Sequence, residues 1–194
     1  MLRRSLVAIV ISLLSITSAK AIVFFEPMVG YATGSFEMKY TNVTDPTDTG
    51  KFKGDIKGLN YGARGGLELG SWQFGLDYLK NNLKKSGYDK TVFDNDKFNT
   101  TEMAALLGYR FWFARVYAGY IFSIDVDKKD IGGADFDGGK GFKFGATFYA
   151  LEHIAFNLEY RNVEMDPTST DDGSAVLNLD YSTVAFLVSF PFSF

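Results

Sequence analysis

From Val23 to the final residue, Phe194, the apolar side chains of this chain recur at alternate positions. Trp72, Phe74, Leu76 and Tyr78 alternate with Gln73, Gly75 and Asp77. Phe142, Phe144, Ala146 and Phe148 alternate with Lys143, Gly145, Thr147 and Tyr149, and Ile154, Phe156, Leu158 and Tyr160 with Asn157, Glu159 and Arg161. A period of two belongs to a β-strand with two unlike faces, because successive side chains leave a pleated strand on opposite sides. A chain patterned this way must cover one face of every strand, which confines it to packed or closed sheets. No 3.6-residue stripe follows Ala21.

Weaker alternations complete a set of eight strands. One places Leu59, Tyr61, Ala63, Leu67 and Leu69 opposite Arg64 and Glu68; another places Met103, Ala105, Leu107, Tyr109 and Phe111 opposite Glu102 and Arg110. Val116, Ala118, Tyr120 and Phe122 mark a further strand, and Val184, Phe186, Val188, Phe190, Phe192 and Phe194 the last. The first begins near Val23, with Phe25, Val29 and Tyr31 on the apolar parity. That parity passes to Phe36, Met38 and Tyr40 beyond Gly34, and a bulge there would produce the slip. Short links near Gly70-Ser71, Phe113-Ala114 and Leu151-His153 alternate strictly with long polar ones, about 41–58, 80–99, 123–140 and 162–174. An up-and-down meander would gather the short turns at one end and the long loops at the other.

The amino terminus is an address. Arg3-Arg4, an apolar run from Leu6 to Ile16 and Ala19-Lys20-Ala21 form the three parts of a secretory signal peptide. Cleavage after Ala21 leaves 22–194 as the barrel domain. Losing Arg3, Arg4 and Lys20 takes the formal charge from −3 to −6. With no cysteine and one histidine, thiolate and His-based metal sites are disfavoured, and no basic footprint points to nucleic acid. No metal or other cofactor is expected.

Alternation does not say which face is wet, since a secreted lipocalin-like barrel alternates too. Three features favour a membrane. Aromatics crowd the strand ends, as in Trp72, Tyr78, Tyr109, Phe111 and Tyr160. The opposite parity mixes Gly and Ala with single charges, as a narrow interior requires. The last strand runs to the chain end as Phe190-Pro191-Phe192-Ser193-Phe194, an aggregation hazard in water. The expected fold is therefore all-β: an eight-stranded antiparallel up-and-down transmembrane β-barrel.

With its signal peptide, eight strands, terminal aromatics and the stretch Phe156-Asn157-Leu158-Glu159-Tyr160-Arg161, the chain resembles the small outer-membrane β-barrel proteins of Gram-negative bacteria, the OmpA/OmpX/OmpW-like group. The resemblance covers the whole mature chain. It implies residence in the outer membrane, and an assembly signal at Phe190, Phe192 and Phe194 read by the outer-membrane assembly machinery. The peptidoglycan-binding domain of full-length OmpA proteins is not expected.

The polar parity carries Glu26, Arg64, Glu68, Asp77, Glu102, Arg110, Lys143, Glu159 and Arg161. Arg64, Glu68, Glu102, Arg110, Lys143, Glu159 and Arg161 are expected to form a lumenal charge network, either as structural filler or, as the resemblance also allows, as a rearrangeable ion gate. An OmpW-like path for hydrophobic molecules would need an apolar channel, for which only Met28, Leu106 and Tyr149 leave a patch. No catalytic residue is expected, and His153 reads as a turn residue. The acidic run Asp125, Asp127, Asp130, Asp135 and Asp137 lacks the spacing of a calcium loop. Lys80, Lys84, Lys85, Lys90 and Lys97 read as a basic loop that could touch lipid phosphates. The expected partners are outer-membrane lipid and lipopolysaccharide, for a monomer whose four loops carry an envelope or surface-interaction role. The alternative is a small gated pore or transporter.

Overall fold

The computed structural model describes residues 21–87, 96–127, 136, 138–169, 173 and 175–194. Except for Ala21, the leader lies outside them. So do Lys90 and three members of the acidic run, Asp130, Asp135 and Asp137. Among the described residues, eight long strands form one antiparallel ring. They are β1 (Ala21–Asn42), β2 (Thr49–Leu69), β3 (Trp72–Ser86), β4 (Lys97–Arg110), β5 (Ala114–Val126), β6 (Gly139–Leu151), β7 (Ile154–Met165) and β8 (Ala175–Ser189). Each pairs with its sequence neighbour, and β8 closes the ring on β1 from Met28↔Ser189 to Asn42↔Ala175.

The ring is staggered. Partners traced across it run Glu26, Arg64, Asp77, Ala104, Ile121, Gly141, Val163 and Tyr181, and return to β1 at Phe36, ten residues beyond Glu26. Such a stagger sets strand tilt, typically about 35–45°, and the bore of eight strands is filled by side chains. Every residue on this path has its side-chain direction inward and is buried. The tight turns and the chain terminus share one end, where Gly70 takes φ +63 in the β2–β3 turn. The terminus is strapped there: Phe192 and Ser193 pair with β1, and Phe194 and Val23 exchange backbone bonds of 2.9 and 3.2 Å. Pro27, which cannot donate, still accepts the Phe190 N–H at 3.0 Å, so the seam stays in register.

Two sequence expectations about the strands change. β1 carries no bulge: its register is unbroken against both β2 and β8. The same parity faces inward throughout, first with Glu26 and Met28, then with Phe36 and Met38. What changes at Gly34 is the chemistry of the faces. Outward residues pass from Phe25, Val29 and Tyr31 to Ser35, Glu37 and Lys39, while the inward side, which carries Glu26 among Phe24, Met28 and Ala32 below, is filled by Phe36 and Met38 above. Register shifts lie instead opposite Met103/Ala104, where Phe122 and Ser123 both point outward, and between Tyr149 and Leu151 beside the β6–β7 turn. Beyond Ser123, β5 continues inward through Ile124 and Val126.

The long links are also shorter than expected, because much of their sequence is strand. β1 has 22 residues and β2 has 21, about twice the 9–11 that a bilayer needs. The surplus projects past the apolar belt at the loop end as a collar, polar outside and apolar inside. In the collar Glu37 accepts Lys51, Lys53 and Lys39 at 2.7, 3.2 and 3.3 Å. Chiefly the Lys51 hydrogen bond, with the other two lysines, holds the Glu37 carboxyl down to about 2.

Candidate functional site

Among the described residues the buried charges gather in the interior, which has two storeys. The lower is an ion-pair belt. Among the described residues it sets the cations Arg64, Arg110, Arg115, Lys143 and Arg161 against the carboxylates Glu26, Glu68, Asp77, Glu102 and Glu159. The balance is even, as a low-dielectric bore demands: an unpaired charge there would cost several kcal/mol.

Glu159 of β7 is the hub. Its Oε1 meets Arg161 Nε at 2.6 Å and Lys143 Nζ at 2.9 Å, and its Oε2 accepts the Tyr117 hydroxyl at 2.8 Å and Arg64 Nη2 at 3.1 Å. Asp77 Oδ2 takes the second contact of both Lys143 and Arg64, at 2.6 and 3.0 Å. Five strands, β2, β3, β5, β6 and β7, are thus tied through two carboxylates. Arg64 leaves Nε and Nη1 without an acceptor and lies with its guanidinium 4.1 Å from the Tyr117 ring centroid. That ring occupies the space where a Cβ on Gly145 would stand, so the small residue in β6 makes room for the large one in β5.

Toward the turn end, Arg115 spans the bore. It reaches Glu26 Oε2 at 2.7 Å, Thr147 Oγ1 at 2.8 Å and Gln73 Oε1 at 3.0 Å, while Ser189 donates to Glu26 at 2.6 Å. Arg115 was absent from the sequence-based network. Its parity, opposite Val116 and Ala118, was the available signal. Toward the loop end, Glu102 accepts Asn81 at 2.6 Å and Tyr181 at 2.9 Å, with Arg161 at 3.8 Å. Of the seven network residues named from sequence, Arg64, Glu102, Lys143, Glu159 and Arg161 meet in the middle of the bore. Glu68 and Arg110 pair with each other at 3.2 Å at its mouth, where Arg110 is 38% exposed and lies over Tyr149.

The upper storey is an apolar plug that the sequence reading did not anticipate. Phe36, Ile56, Leu83, Phe98, Ile124 and Leu179 fill the bore above Glu102, none more than 3% exposed. Phe98 stacks on Phe36 at 6.1 Å and meets Tyr181 edge-on at 5.5 Å. Phe36 in turn lies over Gly54. Met28 and Leu106, the patch considered for an apolar path, are core side chains. The space beside Arg64, Gln73 and Arg115 measures about 10 Å³, at most one water. A vestibule of about 310 Å³ opens at the turn end, lined by Glu68, Arg110, Tyr149, His153 and Ser193.

Outside, the lower storey is wrapped in lipid-facing side chains. Trp72, Tyr109 and Phe111 pack edge-on at 5.0 Å along its lower rim, and Tyr31, Tyr61, Tyr78, Tyr120 and Tyr160 stand along its upper rim. An apolar band between aromatic rims, around a polar interior, defines a transmembrane barrel of the bacterial outer membrane. The family comparison agrees: the model of the outer membrane protein beta-barrel domain matches residues 6–194, and the chain belongs to that family. The turn end is accordingly periplasmic and the loop end extracellular.

No curated protein matches the chain. Among solved structures it is similar to neisserial surface protein A (16% identity, TM-score 0.48, 89% of this chain and 99% of that one). It is also similar to the outer membrane protein OprG of Pseudomonas aeruginosa (13%, 0.48, 90% and 97%). A third is the outer membrane protease OmpT of Escherichia coli (6%, 0.43, 91% and 98%).

Phe190, Phe192 and Phe194 continue the outward face of β8 below the end of β7. His153 stacks on Phe192 at 5.9 Å; among the described residues it hydrogen-bonds neither Ser193 nor any carboxylate.

Proposed function

We propose that this protein is a closed, non-enzymatic barrel that serves the envelope through its outer wall and extracellular loops, and not through its bore. The double closure of the lumen carries this reading. A gate made of ion pairs alone could open by exchanging partners, but here any opened path would still meet the plug around Phe98. Hydrating that layer means wetting side chains whose burial is worth about 1.5–3 kcal/mol each. Envelope or surface interaction then falls to the collar and the loops, the parts that reach beyond the lipid.

The test is single-channel recording of the refolded protein in a planar bilayer, beside Arg64→Gln. Folding is scored first by heat-dependent gel mobility. Both proteins are expected to be silent, although the substitution removes a lumenal cation. Discrete wild-type openings altered by Arg64→Gln would overturn the closed reading in favour of a gated pore.

A further inference from the structure

We propose that the periplasmic mouth of the barrel is a binding site for a carboxylate that carries an apolar group, with Arg110 as the residue that holds it. Three arginines and two tyrosines alternate in a stack that runs from the middle of the bore to this mouth. The Arg64 guanidinium lies 4.1 Å from the Tyr117 ring centroid, and that of Arg115 lies 5.4 Å from the same ring. Arg115 is in turn 5.8 Å from the Tyr149 centroid, and Arg110 is 4.7 Å from it. A guanidinium held on an aromatic face keeps its fork in one orientation, which lowers the cost of ordering it around a ligand.

The rungs differ in what they have left to bind. All three nitrogens of Arg115 are taken, by Glu26, Gln73 and Thr147. Arg64 has N–H groups to spare, but it is sealed in the bore beside a space of about 10 Å³. Arg110 is both open and unsaturated. Among the described residues a side chain engages only its Nη1, through the two oxygens of Glu68 at 3.2 and 3.3 Å. Nη2 and Nε remain for a second acid, and they form an edge that a planar carboxylate meets with two parallel hydrogen bonds.

The vestibule gives that acid a place to sit. Its volume of about 310 Å³ is at the lower end of the range of small-ligand sites. Phe24, Tyr149, His153 and Pro191 supply apolar walls, so the group beside the carboxylate is apolar. Charge chooses among anions. The lining sets the carboxylates of Glu26, Glu68 and Glu152 beside the guanidiniums of Arg110 and Arg115, a balance that admits a monoanion and repels a phosphate dianion. The end of a periplasmic peptide and a free organic acid share this chemistry. The site lies below the ion-pair belt and is entered from the periplasm, so it needs no passage through the bore and is independent of the closed-lumen reading.

The test is nuclear magnetic resonance of the full barrel in detergent micelles, with nitrogen-labelled arginine side chains and N-acetylphenylalanine as the probe. The acid is expected to move the Arg110 Nε resonance and to leave that of Arg161, buried in the bore, in place. N-acetylphenylalaninamide, which lacks the charge, and inorganic phosphate should each bind about tenfold more weakly, the scale of one hydrogen bond to a charged group. Arg110→Gln, read from the probe's own resonances, should lose a similar factor. Tyr149→Leu, which leaves the charge and removes its shelf, should lose part of it, and Glu152→Gln should tighten the acid by removing a like charge at the lip. An N-acetylated tripeptide ending in phenylalanine that binds more tightly than the single residue assigns the site to peptide ends, and equal binding assigns it to free acids. Three results would each overturn the proposal: an Arg110 resonance unmoved in wild type, amide or phosphate bound as tightly as the acid, or unchanged affinity in Arg110→Gln. Gel mobility confirms the folding of every variant, and channel recording judges the closed lumen separately.

Discussion

Glu159→Ala is expected to destabilise the barrel by about 3–5 kcal/mol, the scale for removing one partner from a buried charge pair. The cause is what remains after the carboxylate goes. Arg161, Lys143 and Arg64 all lie within 3.1 Å of it, and Asp77 alone cannot neutralise them. The loss therefore exceeds that of the contacts themselves, because three cations stay buried with only Asp77 in close contact and Glu102 at 3.8 Å from Arg161. Glu159→Gln should recover part of the loss, since the amide oxygen still accepts a hydrogen bond. Lys143→Met added to Glu159→Gln should recover more, by removing a charge that the amide cannot balance. Urea unfolding of the refolded protein, followed by tryptophan fluorescence and gel mobility, measures all three. Equal midpoints for Glu159→Ala and wild type would mean that the belt is hydrated and its charges are cheap.

Phe98→Ala tests the upper storey and should cost about 3–5 kcal/mol, as for other large-to-small core changes. Phe98 is 1% exposed and touches rings from β1 and β8 across the bore, so little nearby can collapse into the space it leaves. Phe98→Leu keeps most of the volume and should cost less than about 1.5 kcal/mol. The same unfolding assay reads both. A small loss for Phe98→Ala would show that the collar is not packed as a core, and would remove the second closure on which the non-conducting reading depends.

Much of the fold was legible because membrane-level alternation is unambiguous. In β3, Trp72, Phe74, Leu76 and Tyr78 face lipid while Gln73 and Asp77 face the bore; alternation marked the strands, and the aromatic strand ends and the small-residue interior parity chose the membrane over a soluble barrel. The lumenal charges followed from the same parity. Legibility failed where the solvent changes. Past Tyr31 the outer wall leaves lipid for water, and the inner face exchanges polar contacts for apolar ones. Phe36 and Met38 then sit on the parity that Glu26 occupies lower down, and hydrophobicity alone makes this look like a slipped register. The polar outer faces of the collar strands were read as loops for the same reason. The irregularity at Phe122 and Ser123 gave no such signal, because an apolar and a small polar residue in succession fit many strand endings. Which charges pair across the bore depended on the ten-residue stagger of the ring, a property of all eight strands together that no local window contains.

The central claim is that one unbroken β1 carries a face inversion at the membrane boundary. The chain has no cysteine, so single cysteines introduced at Tyr31, Phe36 and Lys39 can each carry the only nitroxide in the protein. Collision with oxygen, which partitions into lipid, and with a water-soluble nickel chelate locates each label in the vesicle-embedded barrel. The label at Tyr31 should meet oxygen, the label at Lys39 should meet nickel, and the label at Phe36 should be sheltered from both. A Phe36 label as open to oxygen as that at Tyr31 would contradict the account, because it would place Phe36 on the lipid face and restore the slipped register.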